Sequence, residues 1–362
     1  RRYYIYKFYQ TLPFMFSNKE NKPIDYRFLS LKSVLLILTL SLNLNVSIAQ
    51  KSKDILLEYG WKFTKGDFPA AAQIDFNDKS WQSVTVPHDW AIYGPFDENN
   101  DLQIVKITQN NEQKETRKTG RTGGLPYMGV AWYRTKFTVP NLVNNQEVTL
   151  LFDGVMSNST VFVNGKQVGG WPYGYSSFHF NITSYLIKGK PNTLSVRVDN
   201  KPESSRWYPG AGIYRNVHLI VKHKLNLATW GTFITTPKIT PNFAQINIKT
   251  KISDSLAKNV KLVYTILDSK GKKFAEGSSL NKKEIDLNLQ NPKLWSPENP
   301  NLYTLVTKLY QNNILYDEQR TKFGVREIKF KPETGFWLNQ KNIKFRGVCL
   351  HHDLGPLGTA VN

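Results

Sequence analysis

The feature that most constrains the chain is a period-two alternation of side chains. From Glu147 to Val155 (EVTLLFDGV) and from Thr160 to Val168 (TVFVNGKQV), β-branched and aromatic residues alternate with polar ones. Successive side chains on a strand point to opposite faces, so this pattern predicts half-buried strands. Asn164-Gly165 falls inside the second run, where both positions of a two-residue hairpin turn must accept positive φ. Ala131–Val139, Asn192–Asp199 and Asn216–Lys222 continue the alternation. Many short strands and no long helical period predict a mainly β chain that opens with an antiparallel sandwich of jelly-roll type. The pattern pauses around Leu225 to Pro241 and resumes at Ala244–Ile252. Val260–Leu267, Glu284–Leu289, Leu302–Tyr310 and Ile314–Phe323 complete a second set. Roughly seven short strands in about 100 residues is the content of an immunoglobulin-like β-sandwich, here without the paired cysteines of antibody domains. A third composition begins near Glu327, with Phe336–Gln340 and then the apolar run Ile343–Leu350, which reads as a buried parallel strand.

Charge is the next constraint. The chain has 362 residues with 48 Lys or Arg against 28 Asp or Glu, a formal charge of +20. Residues 1–50 carry +5, residues 51–220 +4, residues 221–326 +9 and residues 327–362 +2. The lysines at 270, 272, 273, 282 and 283 flank expected hairpin turns, where they solvate loops and guard strand edges. Charge dispersed in this way argues against a nucleic-acid partner, which needs a basic stripe or face. Aromatics at 13% exclude disorder. A single cysteine, Cys349, excludes an intrachain disulfide, so each sandwich must stand on its core alone.

Residues 1–50 read as leader and signal peptide. Arg27 and Lys32 flank an apolar run from Val34 to Leu44, followed by small residues at Ser47 and Ala49. That order predicts a secretory signal cut before Gln50, hence an exported, periplasmic or extracellular protein. The run falls short of the ~20 residues of a spanning helix, so no stable membrane anchor is expected, and no cysteine follows it to carry a lipid.

Motifs able to carry chemistry are few. Val86 to Trp90 is VPHDW, Arg206 to Arg215 is RWYPGAGIYR, and His351-His352-Asp353 follows the last apolar run. Trp90 and Trp207 beside prolines also suit packing, and Gly210-Ala211-Gly212 suits a tight turn. Two adjacent histidines on an extended segment point to opposite faces and do not make a paired metal-ligand set.

Taken in order, these motifs resemble the amino-terminal part of glycoside hydrolase family 2, most closely its bacterial β-galactosidases. The resemblance runs from about Ile55 to Asn362. It rests on Gly60-Trp61, Trp81 and VPHDW, on GGWPYGYSSFHFNIT at Gly169–Thr183, on RWYPGAGIYR, on LWSPENPNLYTL at Leu294–Leu305, and on FGVRE followed by FRGVCLHHD. It implies a jelly-roll sugar-binding domain at 51–223 and an immunoglobulin-like sandwich at 224–326. Residues 327–362 would then start a (β/α)8 catalytic barrel, with Lys344–Val348 as its truncated first strand. By the same resemblance, Asp89 contacts the bound sugar, where an acceptor-only carboxylate can hold two hydroxyls. Arg206 and Trp207 match a second segment near that pocket. His351, His352 and Asp353 lie in the first βα loop, at the face where a barrel keeps its active site.

A retaining glycosidase needs an acid and a nucleophile, two carboxyl groups about 5–5.5 Å apart. In the family both are glutamates on later barrel strands, beyond Asn362, so the resemblance implies no catalytic residue here and an amino-terminal fragment inactive by itself. The implied substrate is a β-linked oligosaccharide or glycoside, with terminal β-galactosides favoured and β-glucuronidase or β-mannosidase activity as alternatives. A non-catalytic carbohydrate-binding protein is the reading from another class. No cofactor is expected in this chain. The metal ions that assist some family members would sit past its end, and the oligomeric state is not legible.

Overall fold

The structure is a computed structural model that describes residues 52–97, 99–100, 102–118, 127–139, 142–143, 145–202, 208–348 and 358–360. The described residues are mainly β, as the alternation predicts. Residues 1–50, read from the sequence as leader and signal peptide, lie outside them.

The first sandwich packs two antiparallel sheets face to face. One has the order Lys53–Leu56, Val217–His223, Gln146–Phe152, Phe178–Asn181. The other has six strands, ordered Gln82–Val84, Trp61–Lys65, Gly129–Phe137, Asn192–Asn200, Ser159–Val163, Lys166–Trp171. Asn164 and Gly165 turn at φ 51° and 79°, between Val163 and Lys166, as their chemistry demands. The inward residues Phe63, Val148, Leu150, Phe152, Val161, Val196 and Leu219 are all buried in one core.

The six-stranded sheet is covered on its outer face as well. A 3-10 turn at Pro69–Ala72 lies over it, and Ala71 and Ala72 pack with the fully buried Trp132. Arg134 sits beneath that turn, 1% exposed. Its Nε donates to Asp78 at 2.8 Å, and its guanidinium also reaches the Gln73 carbonyl at 3.0 Å, Ser195 Oγ at 2.9 Å and the Ala71 carbonyl. A buried guanidinium is tolerable only with this degree of pairing.

The second sandwich has seven strands. Leu227–Thr240, Phe243–Ile252 and Glu284–Gln290 form one sheet; Lys273–Leu280, Val260–Leu267, Tyr303–Gln311 and Ile314–Phe323 form the other. Ile246, Ile248, Leu262, Ile266, Leu287, Leu305 and Leu309 fill the space between them. Asn312 and Asn313, at φ 51° and 64°, close the hairpin between Gln311 and Ile314. The expected pause around Leu225 to Pro241 is instead the long strand Leu227–Thr240. Register shifts after Leu227 and after Thr235, with Gly231 and Pro237 between, erase its alternation from the sequence.

The sandwiches meet at a polar joint. Lys222 Nζ lies 3.1 Å from Asp317, which also accepts the Leu227 backbone N–H at 3.0 Å. Asn226 donates to Glu147 at 2.5 Å, and the rings of His223 and Tyr316 stand 4.5 Å apart.

Beyond Val325 a small antiparallel sheet forms from Ile328–Lys331, Gly335–Leu338 and Lys341–Asn342. Lys344–Val348, expected as the first barrel strand, is irregular, with Phe345 75% and Val348 94% exposed. A parallel strand exists only through ladder bonds to neighbours, and the described residues include none beside it.

Candidate functional site

The VPHDW loop is held against PGAGIY by alternate backbone bonds. The His88 N–H donates to the Ile213 carbonyl at 2.8 Å and the Trp90 N–H to the Ala211 carbonyl at 2.9 Å. Fixed at every second residue, the loop drives Trp90 fully into the core, against Phe63 at a ring separation of 5.7 Å.

Asp89 turns the other way and gathers three segments. Its Oδ1 accepts the Ala91 N–H at 3.0 Å, a local turn closure, and the Ala211 N–H at 2.9 Å. Its Oδ2 accepts the Tyr208 hydroxyl at 2.8 Å, the Thr359 N–H at 2.9 Å and the Thr359 hydroxyl at 3.0 Å. A carboxylate offers about four lone-pair positions, so five donors engage it fully. The side chain is 1% exposed. Asp89 thereby ties VPHDW to PGAGIY and to the segment just past HHD. Gly210 makes room for the knot: it sits at φ +69°, and a Cβ there would come within 2.9 Å of Asp89 Oδ2 and collide with the Thr359 side chain.

His88 stands beside the knot. Its Nδ1 is 2.7 Å from the Tyr133 hydroxyl, and Nε2 is buried without a hydrogen-bond partner. Burial pushes the imidazole down to about 4, the charges of Asp89 and Lys65 being lesser and opposed influences. The ring is therefore neutral at pH 7. Burial likewise holds the Tyr133 phenol well above its ordinary value. His88 and the exposed Tyr93, 6.2 Å apart and nearly parallel, line an open groove of about 470 Å³ with Gly60 and Gln82–Thr85.

Of the residues expected at the site, Asp89 alone is placed; Arg206, Trp207, His351, His352 and Asp353 lie outside the described residues. Sequence reasoning assigned no role to His88, Tyr208 or Thr359. Tyr208 and His88 belong to motifs already singled out, whereas Thr359 carries no local signal. Among the described residues no group of three His, Cys, Asp or Glu is arranged to hold a metal ion, and no helix is long and apolar enough to cross a membrane.

Residues 57–223 match the family described as glycosyl hydrolases family 2, sugar binding domain, and residues 231–326 match glycosyl hydrolases family 2. The chain belongs to glycosyl hydrolase family 2. It is 38% identical over 313 residues to a β-galactosidase of Bacteroides ovatus, covering 83% of this chain and 35% of that protein. It is 28% identical over 318 residues to a β-glucuronidase of Formosa agariphila, covering 79% of this chain and 31% of the relative. The chain thus spans about a third of the length of these family 2 relatives. Among solved structures, a β-glycosidase from Bacteroides vulgatus superimposes with a TM-score of 0.75 at 33% identity, covering 86% of this chain and 38% of that one. A β-glucuronidase from Bacteroides uniformis superimposes with a TM-score of 0.72 at 28% identity, covering 86% and 37%.

Proposed function

We propose that this chain is the sugar-binding and spacer portion of an exported retaining glycosidase that cleaves terminal β-galactosides. The observation that carries the reading is the Asp89 knot. It draws the VPHDW loop of the sugar-binding domain onto PGAGIY and onto Thr359, six residues past His351-His352-Asp353 in the sequence. Three of its five donors are backbone N–H groups that hold the loops; the other two are the hydroxyls of Tyr208 and Thr359. A sugar hydroxyl is chemically equivalent to those two and can replace either without disturbing the backbone bonds. Asp89 then positions the loops and receives the sugar with the same carboxylate, with Arg206, Trp207, His351, His352 and Asp353 completing the pocket.

Cleavage itself requires the acid and nucleophile pair of a retaining enzyme, which this reading assigns to a barrel outside these 362 residues. The identity to the Bacteroides ovatus β-galactosidase favours galactosides. The β-glucuronidases among the relatives support glucuronides as the second reading. The test is hydrolysis of nitrophenyl β-galactoside and nitrophenyl β-glucuronide by the full-length polypeptide that contains this chain. Preferential release from the galactoside is expected, preference for the glucuronide selects the second reading, and release from neither overturns both.

A further inference from the structure

The strand Leu227–Thr240 carries two aromatic side chains that its own core does not use. Trp230 sits at φ +53°, a region a bulky residue rarely occupies and keeps only where its surroundings hold it there. It falls within the register shift between Leu227 and Thr232, and the residue is 58% exposed. Phe233, three residues on, is 62% exposed. Leaving such rings in water forgoes roughly 25 cal/mol for each Å² that burial would have gained.

The placement of the indole is built, not loose. Its ring meets His179 of the first sandwich edge to face, with centroids 5.1 Å apart at 69°. The next residue must be glycine, because a Cβ on Gly231 would lie 2.8 Å from the Lys251 carbonyl and 2.9 Å from the Ala228 carbonyl. Both exposed rings line a groove of about 690 Å³, and Lys249, Lys251, Lys283 and Glu284 supply most of the rest of its wall. Glu284 offsets one lysine, pairing with Lys249 at 3.4 Å. The groove keeps a positive balance, within the segment that holds +9 of the chain's +20.

We propose that this groove is a second carbohydrate site, sharing no lining residue with the Asp89 knot, that takes an acidic oligosaccharide bearing uronate carboxylates. One face of a pyranose ring is lined with C–H groups and packs flat on an aromatic ring, as apolar surface does. The carboxylates of successive uronates meet lysine ammonium groups as point charges. The choice of a sugar rests on the glycosidase reading; the binding measurement does not, since it requires no hydrolysis.

The experiment is calorimetric titration of the full chain with an oligogalacturonide, a neutral galactan oligosaccharide of equal length, polyglutamate and polyuridylate. The oligogalacturonide binds, more weakly as salt rises, and the other three bind at least tenfold more weakly. Trp230→Ala and Lys251→Glu each lower its affinity at least tenfold. Equal affinity for polyglutamate, polyuridylate or the neutral oligomer overturns the proposal, as does unchanged affinity in Lys251→Glu, a surface substitution whose fold is checked by circular dichroism. Loss of the groove's binding leaves the nitrophenyl glycoside result standing, and the reverse also holds.

Discussion

The two sandwiches solve the same packing problem with different materials. The first buries charged and hydrogen-bonding groups at depth: Arg134 under its 3-10 turn, Asp89 in its knot and His88 against Tyr133. The second fills its interior mostly with Ile, Leu and Val beside two tyrosines, Tyr303 and Tyr264, the latter's hydroxyl reaching Thr250; it keeps its buried carboxylate, Asp317, at the joint with the first sandwich, and it turns its strands on asparagines at positive φ. Buried polar groups cost free energy unless every partner is in place. A domain that carries several of them is organised around loop positions as well as around a core.

The largest expected effect tests that contrast directly. Asp89→Ala leaves the Ala91, Ala211 and Thr359 N–H groups and two hydroxyls without their acceptor, and should cost about 3–5 kcal/mol of stability by urea denaturation. A loss below about 1 kcal/mol would break the comparison.

Acid should come next. His88 titrates near 6.5 when unfolded and at about 4 in the folded chain, so the folded state binds the proton less well. Its neutral form leaves stability intact above pH 6.5, and roughly 3 kcal/mol is lost as pH falls from 6.5 towards 4. Thermal melts at pH 7, 5.5 and 4 should show the decline, and His88→Phe should flatten it.

The joint between the domains ranks third. Asp317→Ala strips Lys222 and the Leu227 N–H of their shared acceptor, and a cost of about 2 kcal/mol should split one calorimetric transition into two. Smallest of all is Glu276→Gln. Its pairing with Lys273 is 3.7 Å long and about half exposed, so stability should move by less than about 0.5 kcal/mol. A large effect there would show that the second sandwich depends on placed charges beyond Asp317.

Legibility followed the same division. Val260–Leu267 and Ile314–Phe323 have in the structure the limits that alternation gives them in the sequence, because each strand's faces see one core and one solvent. The bulged strand Leu227–Thr240 was hidden because two register shifts reset its period. Of the site, VPHDW and PGAGIY stood out by composition. Their mutual contact did not, since Asp89 finds Tyr208 and Ala211 119 and 122 residues away. The buried cluster around Arg134 was equally silent, because an arginine in a strand reads as outward-facing until something covers it. Lys344–Val348 shows the opposite failure, a strand-like sequence whose pairing depends on residues elsewhere.

The separation between Asp89 and Thr359 also sets a clock. These residues are 270 apart in sequence, and a ribosome adding about 5–20 residues per second needs on the order of 15–50 s to travel from one codon to the other. Until residue 208 is made the Asp89 Oδ2 lacks all three of its donors, and from there to residue 359 it lacks the two that Thr359 supplies. The Asp89 knot is thus completed only once Thr359 is made, and a pause or break in translation before codon 359 leaves the first sandwich with that latch open.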